Sequence, residues 1–194
     1  IDLTLRALLA ADEEVLVPSP DYPLWTAAVN LNRGRAVHYP CPPERGFIPN
    51  PEEIESLITK RTRAIVVINP NNPTGAVYPR HILEAIARIA EKYHLVVLAD
   101  EIYDQMTYDG AECVPMATLV QHTLCGTLSG LSKVYRACGY RVGWAAFSGD
   151  VEHSREYLSA LGRRIGLPVA AISFAIAPNN LAVSLASPVS LVVR

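Results

Sequence analysis

A lysine in a segment of small residues is the first candidate for chemistry in this chain. Lys133 ends the stretch SGLSK, and Arg141 follows at the mouth of the next apolar run. Most lysines are solvated surface groups, but the small neighbours Ser129, Gly130 and Ser132 leave room for a ligand to approach this amine. Lysine is also the side chain that forms Schiff bases with carbonyl compounds. Lys133 is therefore a candidate nucleophile.

Two carboxylates follow an apolar run. Asp100 and Glu101 end the stretch LVVLADE, and Tyr103 comes shortly after them. A carboxylate in such a place is often a helix cap or a solvated edge. This run is continuously apolar, however, which predicts a partly buried charge, and such a charge needs a positively charged or proton-donating partner.

The segment NPNNPTG directly follows the apolar run AIVVI. Proline, asparagine and glycine together favour a tight turn, and most such clusters are only turns. A rigid turn at the carboxyl end of a parallel strand is also where open α/β sheets hold ligands. The motif alone leaves both interpretations open.

The composition limits the class of protein. The chain has 194 residues, half of them hydrophobic, and a net charge of −2. It can bury a substantial core, and it shows no electrostatic footprint for nucleic acid or an anionic membrane. Four cysteines without CxxC spacing predict neither a zinc site nor a disulfide framework. We therefore expect a cytoplasmic globular protein with free thiols that binds small molecules.

Short apolar runs alternate with amphipathic segments. The runs predict strands at 13–18, 35–40, 63–68, 95–100, 123–128 and 141–147. Helical patterns lie before, between or after them, at 3–11, 22–32, 51–58, 79–93 and 152–163. This alternation is typical of βαβ units, so we expect an α/β fold with a mostly parallel sheet and helices on both faces.

In this order and spacing, NPNNPTG, ADEIY and SGLSKVYRACGYRVGW resemble the class I and II aminotransferases, pyridoxal-phosphate enzymes of fold type I. VPSPDYPLWTAAV fits the same family, and the resemblance covers residues 1–164. It is strongest to bacterial alanine aminotransferases of the glutamate–pyruvate type. The resemblance implies a homodimeric transaminase that converts L-alanine and 2-oxoglutarate to pyruvate and L-glutamate.

The resemblance also implies a role for each matching residue. Lys133 would form the Schiff base with pyridoxal 5′-phosphate and then carry the substrate α-proton in a 1,3-proton transfer. Asp100 would pair with the protonated pyridine nitrogen, which keeps the ring an electron sink. Arg141 would bind the cofactor phosphate, because its planar fork suits that anion.

Three further matches would surround the cofactor ring. Tyr22, in PDYP, would stack on the pyridine face. Tyr103 and Asn72 would donate hydrogen bonds to the phenolate oxygen, and Asn72 would also contact the substrate. Within NPNNPTG, Asn72 is thus predicted to be a rigid donor, and Gly75 lets the chain turn away.

Some of the family pattern is altered or missing. Gly130 stands where many members carry a serine that binds the phosphate, and neither Ser129 nor Ser132 is assigned that role. The backbone phosphate loop is expected just before the first residue, so we expect a piece of a longer protein. We divide the chain into an incomplete cofactor-binding large domain, 1–164, and a segment, 165–194, that matches neither the family nor its small domain with the substrate-binding arginine.

Three other functions stay open. A β-lyase that acts on sulfur amino acids shares this scaffold and lysine. The effector domain of a transcription regulator binds the same cofactor, although this chain shows no winged helix or basic patch. A chain without the substrate-binding arginine would be an inactive fragment, prone to aggregate through exposed apolar surface.

Overall fold

Six strands form one sheet in residues 1–165, the part of the chain that the computed structural model describes. In chain order the strands are β1 (Glu14–Ser19), β2 (Arg35–Pro40), β3 (Thr62–Ile68), β4 (Val96–Asp100), β5 (Leu124–Gly130) and β6 (Gly143–Gly149). The α-helices are α1 (Asp2–Leu8), α2 (Leu24–Leu31), α3 (Pro51–Ser56), α4 (Arg80–Lys92) and α5 (Arg155–Ile165). Short 3-10 turns lie at Pro43–Arg45, Met116–Thr118 and Cys138–Tyr140.

The strands lie in the order β2-β1-β3-β4-β5-β6. The strands β1 to β5 run parallel to one another and β6 is antiparallel to β5, so the prediction of a mostly parallel sheet is confirmed. The crossover from β1 to β2 contains α2 and lies on one face of the sheet. The crossover from β3 to β4 contains α4 and lies on the other face. The strand order reverses between β1 and β3, and open α/β sheets hold ligands beyond the carboxyl ends of the strands at such a point.

Helices cover both faces of the sheet, as predicted. In β3, Ile65 and Val67 pack with side chains of α3 and α4, whereas Ala64, Val66 and Ile68 pack with side chains of α1 and α2. Successive side chains of a strand point to opposite faces, so a strand that is buried on both needs an unbroken apolar run. The two cores therefore explain why AIVVI has no polar member.

Local sequence places the helices of one face. α4 buries an apolar stripe that includes Leu83 and Ile86. α3 begins where Asn50 Oδ1 accepts a hydrogen bond from the Glu52 N–H at 3.0 Å, with Pro51 in the first helical position. Both features are helix-start signals that stabilise the first turn.

Every predicted strand and helix is present, and the errors lie at element ends. α1 ends at Leu8 instead of residue 11, because Leu9 has an extended backbone. β6 begins at Gly143 instead of residue 141, because Arg141 adopts a left-handed φ of 52° at the end of a 3-10 turn. α5 begins at Arg155 instead of residue 152, after a turn.

In residues 1–165, no helix combines the length and the apolar character that a membrane span requires. The predicted domain boundary falls at the end of this range. The segment 165–194, apart from Ile165, therefore lies outside the described residues.

The two-faced core predicts a contrast between two aliphatic truncations. Ile65→Ala should lower the free energy of unfolding by about 2–5 kcal/mol, because the fully buried side chain leaves a cavity under α4. Leu31→Ala removes a side chain that is 79% exposed, so the change should stay within about 0.5 kcal/mol. Urea unfolding measures both, and a small effect of Ile65→Ala would contradict the packing.

Candidate active site

A cavity of about 530 Å³ opens at the carboxyl ends of the parallel strands. Its walls come from the segments that follow β1, β3, β4 and β5, from the residues before β6 and from the start of α1. All six residues singled out in the sequence line this one cavity: Tyr22, Asn72, Asp100, Tyr103, Lys133 and Arg141. The fold thus brings together side chains that are far apart in the sequence.

Asp100 is the buried charge of the cavity wall. It ends β4 and is 7% exposed. Trp25 Nε1 donates a hydrogen bond to Asp100 Oδ2 at 2.9 Å, and the Ile102 N–H donates to Oδ1 at 3.4 Å. Burial raises the pKa of Asp100, while these two donors act in the opposite direction. The sequence-based expectation of a proton-donating partner is met, and Oδ1, with only the longer contact, keeps room for a ligand.

Trp25 is the residue that sequence reasoning missed at this site. Nothing in the stretch PLWTAAV separates it from an ordinary core tryptophan of α2. Its position three residues after Tyr22 is the only local signal. A partner 75 positions away, Asp100, becomes visible only in the folded chain.

Glu101 serves the core and does not line the cavity. Its Oε1 accepts a hydrogen bond from the Met116 N–H at 2.8 Å, and the side chain is 5% exposed. Burial raises the pKa of Glu101 to about 7, and the charges of Asp104 and Asp100 add to the effect. The two adjacent carboxylates therefore have different environments and different uses.

The predicted nucleophile lies on the wall that leads out of β5. Lys133 is exposed, and its Nζ lies 5.7 Å from the centre of the Tyr103 ring. Ammonium groups are attracted to an aromatic face at this distance. The contact holds the amine beside Tyr103, which is also a predicted cofactor ligand.

The three asparagines of NPNNPTG have different environments in the turn. Asn69 Oδ1 accepts a hydrogen bond from the Tyr78 N–H at 2.8 Å, and Asn71 Oδ1 accepts one from Thr74 Oγ1 at 2.8 Å. Gly75 takes a positive φ of 75°, a conformation that glycine adopts without strain. Asn72 is the asparagine of the three that lines the cavity, so the turn presents it as a donor.

Arg141 lines the cavity just before β6. It is exposed, and its Nη1 donates a hydrogen bond to the Cys138 carbonyl at 3.0 Å. That contact fixes the guanidinium and uses one of its donors. The other donors of the fork remain suited to an anion.

Gly130 has a steric reason to be glycine. It lies opposite Gly143 in the β5–β6 pair. A Cβ on Gly130 would stand 2.8 Å from the Val142 carbonyl oxygen and 3.1 Å from the Gly143 Cα. The family's serine therefore cannot occupy this position unless the backbone moves, whereas Ser129 and Ser132 both line the cavity.

Within the described range, no group of three or more His, Cys, Asp or Glu side chains is placed to hold a metal ion. The chemistry of the cavity must be judged from its other groups. The six residues singled out in the sequence supply a carboxylate, an amine, a guanidinium, two phenols and an amide. Such a set suits a flat, polar ligand with both an anionic and a cationic end.

Comparisons with known proteins agree on one family. The family described as aminotransferase class I and II matches residues 1–177. Alanine aminotransferase of Mycobacterium tuberculosis H37Rv is 50% identical over 162 residues, which are 84% of this chain and 38% of that protein. Glutamate-pyruvate aminotransferase AlaA of Escherichia coli K12 is 49% identical over 157 residues, 81% of this chain and 39% of that protein.

A solved structure shows the same architecture. Alanine aminotransferase from Pyrococcus furiosus superposes with a TM-score of 0.82 at 42% identity, and the match covers 86% of this chain and 42% of that one. The predicted fold class is thereby confirmed. This chain spans about two fifths of the length of the curated relatives that it matches.

The Gly130 contacts predict a position-specific cost. Gly130→Ala should lower the free energy of unfolding by about 1–3 kcal/mol, because its Cβ meets backbone atoms that have little room to move. Gly139→Ala is the matched control, since nothing lies within 4 Å of the added Cβ. Urea unfolding of both variants checks the prediction, and equal values would contradict it.

Burial of Glu101 predicts a pH-dependent gain for one variant. The folded protein holds this proton more tightly than the unfolded chain does, so the free energy of unfolding should fall as the pH rises from about 4.5 to about 7. Glu101→Gln cannot ionise and keeps an acceptor for the Met116 N–H. At pH 8 it should be more stable than the parent by up to about 3 kcal/mol.

Urea unfolding between pH 5 and pH 8 measures this difference. Glu112→Gln, at an exposed glutamate, is the control and should follow the parent across the range. A Glu101→Gln variant that parallels the parent at every pH would show that the buried carboxyl carries no such cost.

Proposed function

Because the chain belongs to the class I and II aminotransferases, a family of pyridoxal-phosphate enzymes of fold type I, we propose that its protein transfers the amino group of L-alanine to 2-oxoglutarate. The products are pyruvate and L-glutamate. The observation that carries the proposal is the meeting of six predicted residues in one cavity. The choice of substrates rests on the names of two relatives, alanine aminotransferase and glutamate-pyruvate aminotransferase.

The described residues fit pyridoxal phosphate. Its ring nitrogen is cationic when protonated, and the buried Asp100 offers a carboxylate oxygen with only a 3.4 Å contact. Its phosphate is an anion, and Arg141, which also lines the cavity, offers hydrogen-bond donors for it. Its aldehyde takes an amine, and Lys133 supplies one at the cavity wall. The cavity volume, about 530 Å³, lies in the range of small-molecule sites.

The three remaining residues surround the ring. Tyr22, 39% exposed, presents an aromatic face at the cavity. Tyr103 and Asn72 are assigned to the phenolate oxygen, and Asn72 also to the substrate. Fixed donors of this kind set the orientation of a bound ligand at no cost in reorganisation during the reaction.

The chemistry divides between the cofactor and this chain. When bound, pyridoxal phosphate supplies an electron sink for the charge that forms as the amino acid loses its α-proton. Lys133 Nζ would hold the cofactor and, once the substrate amine has displaced it, the freed amine would accept the proton from the substrate α-carbon and later donate it. The Asp100 carboxyl would lie beside the ring nitrogen and, when ionised, would favour a positive charge there. Arg141 holds the anionic end in place.

We also propose a homodimer in the cytoplasm. Tyr135 and Tyr140 are exposed in the segment between Lys133 and Arg141, and aromatic side chains are enriched at protein interfaces. The buried cysteines Cys41 and Cys125 are free thiols, which agrees with a reducing compartment.

The first test is the absorbance spectrum after pyridoxal phosphate is added and the excess is removed. The parent protein should retain a visible band, and Lys133→Ala should lose it together with the covalent attachment. Lys60→Ala removes an exposed lysine elsewhere and should keep the band. Transfer from L-alanine to 2-oxoglutarate should fall at least about 100-fold in Lys133→Ala. A band that survives in that variant would overturn the assignment.

The same preparations separate the other functions. Pyruvate that appears from L-alanine only when 2-oxoglutarate is present supports transamination. Pyruvate released from cystathionine without an amino acceptor would identify a β-lyase instead. A retained band with neither reaction would indicate a binding module or an inactive fragment.

A further inference from the structure

The hydrogen bond from Trp25 to Asp100 joins two parts of the site that the sequence keeps apart. Trp25 lies on α2 and is completely buried. It does not line the cavity, yet its Nε1 donates to Asp100 Oδ2 at 2.9 Å. The indole therefore contacts Asp100 from the protein interior, and a ligand would meet the same carboxylate from the cavity.

The type of donor matters for the charge of the site. An indole N–H donates a hydrogen bond but cannot ionise or take up a proton near neutral pH. An arginine or lysine in its place would cancel the negative charge of Asp100, and a histidine would add a second titrating group. No ion pair found among the described residues involves Asp100. Trp25 thus supports the carboxylate and leaves its charge available to the cavity.

The contact also orients the carboxylate. With Oδ2 held by the indole, Oδ1 makes only the 3.4 Å contact from the Ile102 N–H. The indole is itself held, because it packs in a buried cluster that includes Val29 and Leu98. The direction of Oδ1 is therefore fixed before any ligand arrives.

The same tryptophan connects the carboxylate to the predicted stacking residue. The backbone N–H of Trp25 donates to the Tyr22 carbonyl at 2.9 Å. Residue 25 therefore bonds to Tyr22 through its backbone and to Asp100 through its side chain. Any shift of the first turn of α2 would move both walls of the cavity together.

We propose that Trp25 is a positioning residue, which holds the Asp100 carboxyl in the orientation that a cationic ring nitrogen of the cofactor needs. This inference rests on the proposed function and adds a residue to it. Trp25 acts through Asp100 and does not touch the cofactor. Its effect is therefore measurable in the protein without pyridoxal phosphate, so failure of the inference and failure of the proposed function give different results.

The parent protein without cofactor provides the first test. The chain has two tryptophans, Trp25 and Trp144, so its NMR spectrum has two indole N–H signals from these residues. Carbon-13 labelling follows the titration of the Asp100 carboxyl, and the Asp100→Asn variant assigns its signal. The Trp25 indole signal should shift with pH at the midpoint of that titration. Trp144 also lines the cavity, but no hydrogen bond among the described residues joins its indole to Asp100, so its signal should shift less than the Trp25 signal at that midpoint. A Trp25 signal that is insensitive to Asp100 would overturn the inference without any substitution at residue 25.

Substitution separates the hydrogen bond from packing. Trp25→Phe keeps an aromatic ring and removes the donor, so the midpoint of the Asp100 titration should rise by about one pH unit or more. Val29→Ala loosens the same buried cluster without touching the donor and should leave the midpoint within about 0.3 units. No shift in Trp25→Phe, or an equal shift in Val29→Ala, would contradict the positioning role.

Discussion

A sheet that is buried on both faces determines where chemistry can take place in this chain. Each inner strand needs apolar side chains toward both cores, so polar functional groups are displaced to the segments beyond the strand ends. β3 shows the pattern: Ala64 to Ile68 fill the two cores, and the asparagines follow at once. The reversal of strand order between β1 and β3 then separates the crossovers and leaves a crevice at that edge. The cavity follows from this arrangement.

Charge is distributed sparingly at this edge. Asp100 and Glu101 are adjacent, yet one faces a cavity and the other is satisfied by a backbone N–H in the core. A buried carboxylate destabilises the fold unless donors compensate it. Asp100 has an indole and a backbone N–H as donors, and neither neutralises its charge. The fold therefore places a carboxylate with two hydrogen-bond donors at the wall of the cavity.

Much of this could be predicted from the sequence, and the remainder depends on tertiary contacts. Apolar runs located all six strands, and ordered motifs selected the six residues that meet in the cavity. Trp25 was missed because its partner is 75 positions away and its environment resembles any helix core. The reason for Gly130 requires the register of β5 against β6, which no local pattern contains. Turn geometry, such as the left-handed backbone of Arg141, explains why strand and helix ends differ from the predicted ones.

The direction of a single strand decides whether this site can exist. Arg141 precedes β6, whereas Tyr22, Asn72, Asp100, Tyr103 and Lys133 lie at or after the carboxyl end of a parallel strand. Because β6 is antiparallel, its first residue, Gly143, lies beside the last residue of β5, Gly130. If β6 were parallel to β5, its first residue would lie at the amino end of β5, about 20 Å away for a strand of this length. One reversed strand thus allows Arg141 and Lys133 to line the same cavity.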